Sequence, residues 1–91
     1  MTEFAEILTD IRKELRCADK YAKEAVKHRA EYPALADVYH RIASDKVAHA
    51  DMLHKQAHDY AKAHHMDGVW DIEDMLIMDD MHEARKTLSL W

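Results

Sequence analysis

LADVYHRIASDKVAHADML, residues 35–53, is the stretch that decides the fold. Leu35, Tyr39, Ile42, Lys46, His49 and Leu53 recur at alternating four- and three-residue steps, and the series runs on to Gln56 and Tyr60. Val38, Ala43, Ala50, Ala57 and Ala61 flank it. That period belongs to an α-helix that turns one face to a core. Lys46 and His49 stand in the middle of the stripe, where a bundle normally keeps Leu or Ile. A buried ammonium or imidazole costs desolvation unless it is paired, so the pattern demands a partner from elsewhere in the chain.

The partner lies upstream. Ile7, Ile11, Glu14, Ala18, Tyr21, Ala25 and His28 follow the same spacing, flanked by Phe4, Leu8, Leu15, Ala22 and Val26, with Glu14 at mid-stripe. Between the two patterns stands Pro33, the sole proline, which disfavours helix at Tyr32 and opens a helix well. The turn is therefore expected at Glu31 to Pro33. Folding back there sets position 14 opposite roughly position 50, because antiparallel helices advance about 1.5 Å per residue from the turn. Glu14, Lys46 and His49 then share one polar layer, with Tyr21 two turns along the same stripe.

Three helices are predicted, over about residues 2–30, 33–65 and 69–90, in a single domain spanning 1–91. Thr2 can cap the first, with Glu3 and Glu6 at its positive end. Gly68 is expected to end the second helix, and Asp67 or Asp71 to cap the third. The third carries Trp70, Ile72, Leu76, Ile77, Met81, Leu88 and Trp91 spread widely around its axis, which predicts contact with more than one neighbour.

Composition agrees. The chain has 91 residues, with one glycine, one proline and abundant strong helix formers, so no strand is expected. A chain of this length buries roughly 60 to 65% of its unfolded surface, a modest core that favours self-association. The net charge of −5, with bases interleaved among acids, argues against nucleic-acid and anionic-membrane binding. A lone Cys17 excludes an intrachain disulfide, and no apolar run suggests export or membrane insertion, so a cytoplasmic protein is expected. One glycine cannot build a phosphate loop, and no nucleophile elbow or paired-cysteine metal motif is present.

The 35–53 stretch, together with Glu14 and Tyr21 seven residues apart, resembles the ferritin-like proteins, above all their rubrerythrin and encapsulated-ferritin branch. The resemblance covers about residues 10 to 60 and leaves the third helix unmatched. It implies an all-α fold in which an antiparallel hairpin dimerises into a four-helix bundle. It also implies a di-iron site in which Glu14 would be the glutamate ligand and His49 the imidazole. Three residues before His49, where that family has a bridging glutamate, this chain has Lys46. An ammonium has no lone pair for a metal, and its charge repels a cation. The expectation is therefore a lost metal site in which a Lys46–Glu14 ion pair replaces iron, with no cofactor. Removing one partner of a fully buried pair would cost about 3–5 kcal/mol.

The reading that follows is a non-enzymatic homodimeric helical protein that works by binding another, unidentified protein. Two alternatives stay open. One is an inhibitor or adaptor of a host or rival protein, since short acidic hairpins of this kind look like products of bacteriophage and gut-bacterial genomes. The other is a surviving di-iron oxidase or peroxide scavenger using Glu14 and His49 with Asp45 or Glu24, although Asp45 points about 100° away from the stripe. His54 and His58, four apart, have the spacing of a zinc, nickel or copper chelate but are expected on a solvated face. Met75, Met78 and Trp91 on the third helix are the expected interface residues, and Tyr21, Tyr39 and Tyr60 are expected to pack in the core.

Overall fold

The computed structural model describes residues 3–90. Among them are three helices, α1 (Glu3–His28), α2 (Pro33–Ala63) and α3 (Asp67–Ser89), and no strand. The expected Thr2 cap and the interface residue Trp91 lie outside the described residues. α1 ends at His28, two residues earlier than expected, and residues 29–31 form the turn. Tyr32 sits at φ −131° and ψ 66°, held out of the helical region by the ring that follows it, and Pro33 opens α2. Backbone bonds close the corner: Tyr32 N–H donates to the His28 carbonyl at 2.8 Å, and Ala36 N–H to the Tyr32 carbonyl at 2.9 Å.

The second corner is built differently from expectation. Gly68 does not end α2; it lies within the first turn of α3 and has no positive φ. The left-handed position falls on His65, at φ 54°. His65 N–H donates to the Lys62 carbonyl and Met66 N–H to the Ala61 carbonyl, at 3.4 and 2.8 Å. This pair of bonds is a Schellman closure, which normally places glycine where His65 stands. Nor does Asp67 or Asp71 cap α3: the cap residue is Met66, without a side-chain bond, and Asp67 acts on the helix dipole from the first turn.

α1 and α2 pack antiparallel, and α3 runs back along the groove they leave, giving a rod of 51 × 19 × 17 Å. The buried stripe of α1 is Phe4, Leu8, Ile11, Leu15, Ala18, Ala22 and Ala25, and that of α2 is Ala36, Ala43, Val47, Ala50, Ala57 and Ala61. Both are rotated from the expected seams. Most of the side chains expected as flanks are the core, while Glu14, Tyr21, Tyr39, Lys46 and Leu53 are half-buried at its edge, and Leu35 and His49 are exposed. The cause is α3, which covers one side of the hairpin only and draws the buried face toward itself.

α3 docks through Trp70, Ile77, Met81 and Ala84, all buried. Phe4 meets the Trp70 ring edge-on at 6.1 Å and stacks on Tyr60 at 5.7 Å, tying the three helices together at one end. Ion pairs follow α3 along both neighbours, Arg12 to Glu73 on α1 and Arg85 to Asp51 at 2.6 Å on α2. The Arg29 side chain reaches the Leu90 carbonyl at the far end.

Two stability outcomes are expected. Trp70→Ala removes the ring that joins all three helices and should cost about 3–5 kcal/mol in urea denaturation, with α3 amides losing exchange protection before those of α1 and α2. At the second corner, His65→Gly should be neutral or stabilising by up to about 1 kcal/mol, whereas His65→Val should destabilise, because a β-branched side chain tolerates positive φ least.

Candidate functional site

The polar layer predicted across the hairpin is assembled. The Lys46 ammonium lies 3.3 Å and His49 Nδ1 3.5 Å from Glu14 Oε2. The Glu14 and Lys46 side chains retain 24% and 31% of their exposure, and His49 retains 52%. The layer is therefore at the edge of the core rather than in its centre. Glu14 Oε2 itself is buried and makes no hydrogen bond. Both neighbours are within ion-pair range, but neither is aligned to donate. The carboxylate is balanced by charge across a short gap, which is weaker than a directed, charge-assisted bond.

Position along the helices explains which side this layer faces. Arg12, Leu15 and Asp19 line the side of α1 next to α3, together with Asp80, Glu83 and Ala84 of α3. At about 100° per residue, Arg12 and Glu14 point roughly 200° apart. On α2, Asp51, His54 and His58 meet α3, while Lys46 and His49 meet Glu14. The Glu14 layer consequently occupies the open face of the hairpin, opposite α3. Along the same face Tyr21 stacks on Tyr39 at 5.8 Å, His28 lies against Tyr39 at 6.0 Å, and Glu24 bonds to His28 at 3.2 Å. Leu35 and Val38 are 42% and 51% exposed at the turn end.

These residues do not fit a di-iron centre. Lys46 occupies the place beside Glu14 that a cation would need, and Asp45 is exposed, turned away from the layer. Glu24 is bonded to His28 and lies about 15 Å from Glu14 along α1. Among the described residues, no three His, Cys, Asp or Glu side chains are grouped so as to hold a metal ion. Tyr21 stacks on Tyr39, two turns along α1 from Glu14, so it extends the face beside the ion-pair layer.

His54, expected on a solvated face, is half-buried, while His58 is exposed as expected; both nevertheless contact α3. They clamp α3. His54 Nε2 is 2.6 Å from Asp74 Oδ1, and Trp70 Nε1 donates to His58 Nδ1 at 3.1 Å. Both imidazole rings also lie against the indole, at 5.4 and 6.1 Å. The four-residue spacing that could chelate a metal instead places two rings on one indole. His58 Nδ1 accepts from Trp70, so the neutral ring carries its proton on Nε2. Cys17 is half-buried and free. No helix among the described residues is long and apolar enough to cross a membrane.

Between α1 and α3 runs an open groove of about 390 Å³, in which Arg12 and Arg16 face Asp80 and Glu83. Its signs alternate and Arg12 is engaged by Glu73, so it presents no uniform field for a charged ligand. Met75 and Met78, expected at an interface, are on the outer surface of α3 at 65% and 43% exposure.

The ion-pair layer can be weighed by a double-mutant cycle. Lys46→Met alone should cost about 1–2 kcal/mol in urea denaturation, less than a fully buried pair because water still reaches both side chains. Glu14→Leu combined with Lys46→Met should recover most of that loss, since replacing both partners leaves no uncompensated charge. No family model, curated protein or solved structure matches the chain.

Proposed function

We propose that the chain is a non-enzymatic helical protein, a ferritin-like hairpin with a lost metal site, that pairs with a second copy across its open face and acts by binding another protein. The observation that carries this reading is the Glu14 carboxylate balanced by Lys46 on the face opposite α3. A carboxylate at that depth needs a cation, and here the protein supplies one. The face around it has the character of an interface more than of a solvated helix side: Tyr21, Tyr39, Leu35 and Val38 give it aromatic and aliphatic surface, while Glu14, Lys46 and His49 give it polar marks that set register. In such a dimer the open faces of two hairpins form the four-helix core, with α3 on the outside.

Sedimentation velocity and elemental analysis on one untagged sample, grown in iron-supplemented medium, test both halves of the reading. The expected result is a dimer without stoichiometric iron. Leu35→Glu with Val38→Glu should convert it to a helical monomer, since in a twofold dimer the introduced carboxylates at the turn end of the paired face would be buried without cations. A monomer at high protein concentration would overturn the pairing, and near-stoichiometric iron that is lost in Glu14→Gln would overturn the lost-site reading.

A further inference from the structure

α3 is apolar on two sides. One side carries Trp70, Ile77, Met81 and Ala84 into the core. Around the axis from it stand Val69, Ile72, Met75 and Leu76, exposed at 54%, 64%, 65% and 52%, with Met78 at 43%. A helix normally turns its apolar residues into a single buried stripe, so a second apolar side left in solvent stands out. An isolated exposed leucine would need no explanation, but neighbouring side chains at i, i+3, i+6 and i+7 form a continuous patch of the kind that marks a contact surface. Methionine suits such a surface because its unbranched, polarisable chain repacks around different shapes.

Charge states what kind of partner fits. Between Lys62 and Arg85 there are seven Asp and Glu and no Lys or Arg, while all thirteen bases and the other eleven acids lie outside that stretch. Three of the seven are committed, Glu73 to Arg12, Asp74 to His54 and Asp67 to Lys62. Asp71, Asp79, Asp80 and Glu83 make no ion pair among the described residues, and of these Asp80 and Glu83 also line the groove that Arg12 and Arg16 share. Ile72, Leu76, Asp79 and Glu83 fall in one column on α3, apolar for its first turns and acidic for the next, over about 16 Å. A second copy docking on the outer side of α3 would set acids against acids along most of the contact, with Arg12 and Arg16 only at its α1 edge, which disfavours self-pairing on this face.

We propose that the outer face of α3 is the docking surface for a basic amphipathic helix, whose apolar side covers Ile72, Met75 and Leu76 and whose lysines or arginines reach Asp79, Asp80 and Glu83. The inference rests on the protein-binding reading above and names its surface and the chemistry of the partner. It places partner binding opposite the self-pairing face, so one protomer can do both at once.

The test uses the full chain and a fluorescein-labelled peptide of about 14 residues, built of Leu and Lys with Leu at helical spacing, beside the same peptide with Glu for Lys. Fluorescence anisotropy should show the Lys peptide binding at least about tenfold more tightly than the Glu peptide. Ile72→Ser with Leu76→Ser, and separately Asp79→Lys with Asp80→Lys, should each weaken it by about tenfold or more. These four side chains are exposed, so circular dichroism should be unchanged. Equal binding of the two peptides would overturn the proposal, as would binding that survives Ile72→Ser with Leu76→Ser, which is bare charge attraction without docking. A dimer that Ile72→Ser with Leu76→Ser dissociates would show a second copy on this face and overturn it as well. Sedimentation of the Leu35→Glu, Val38→Glu variant reads the self-pairing face separately, so failure on α3 is distinguishable from failure of the hairpin reading.

Discussion

Everything in this structure depends on how closely α1 and α2 approach, and that is set by alanine. Ala36, Ala43, Ala50 and Ala57 recur every seven residues on α2 with no exposed surface, and Ala18, Ala22 and Ala25 answer them on α1. The line of closest approach between two helices runs where side chains are smallest, because only there can the backbones come together without a clash. Larger residues are displaced to either side of that line. On one side Phe4, Leu8, Ile11 and Leu15 meet α3, and on the other Tyr21, Tyr39, Glu14 and Lys46 form the open face.

Docking of α3 on one side then decides the character of the polar layer. Had α3 lain across the other face, Glu14 and Lys46 would be buried deeply, and their desolvation would outweigh their attraction unless every donor were satisfied. At the edge of the core the pair keeps some water, and an imperfectly aligned contact at 3.3 Å is tolerable. The same docking converts His54 and His58 from two imidazoles on a helix surface into a clamp for Trp70 and Asp74. Both effects follow from where α3 lies, and neither depends on the composition of α3 beyond its indole and its acids.

Much of the architecture was readable. Pro33 marked the hairpin turn because its ring constrains two residues regardless of context, and the periods on either side of it are long enough to identify helices. The pairing of Glu14 with Lys46 and His49 followed from distance to the turn, since antiparallel helices advance equally. The rotation of the buried stripe was not readable, because the four-three spacing fits two adjacent faces and on α2 the larger side chains, Leu35, Tyr39, Ile42 and Leu53, mark the one that proved to be the edge. The second corner was misleading for a related reason: glycine is the residue that best accepts a left-handed backbone, yet the closure fell on His65, three residues before the glycine. Local propensity names a residue that could turn the chain, while the packing of Trp70 against Phe4 decides where the turn must be.

By itself the sequence determined three helices, their approximate bounds, one hairpin, and the meeting of a carboxylate, an ammonium and an imidazole at one level. These are properties of local backbone preference and of equal rise along paired helices, so they need no knowledge of the third dimension. Only the tertiary structure decided which face of each helix is buried, that two histidines hold α3, and that α3 keeps a second apolar stripe outside. Those outcomes turn on which of several amphipathic faces wins the competition for a limited interior. That competition is settled by close packing among all three helices together, which no single stretch of sequence contains.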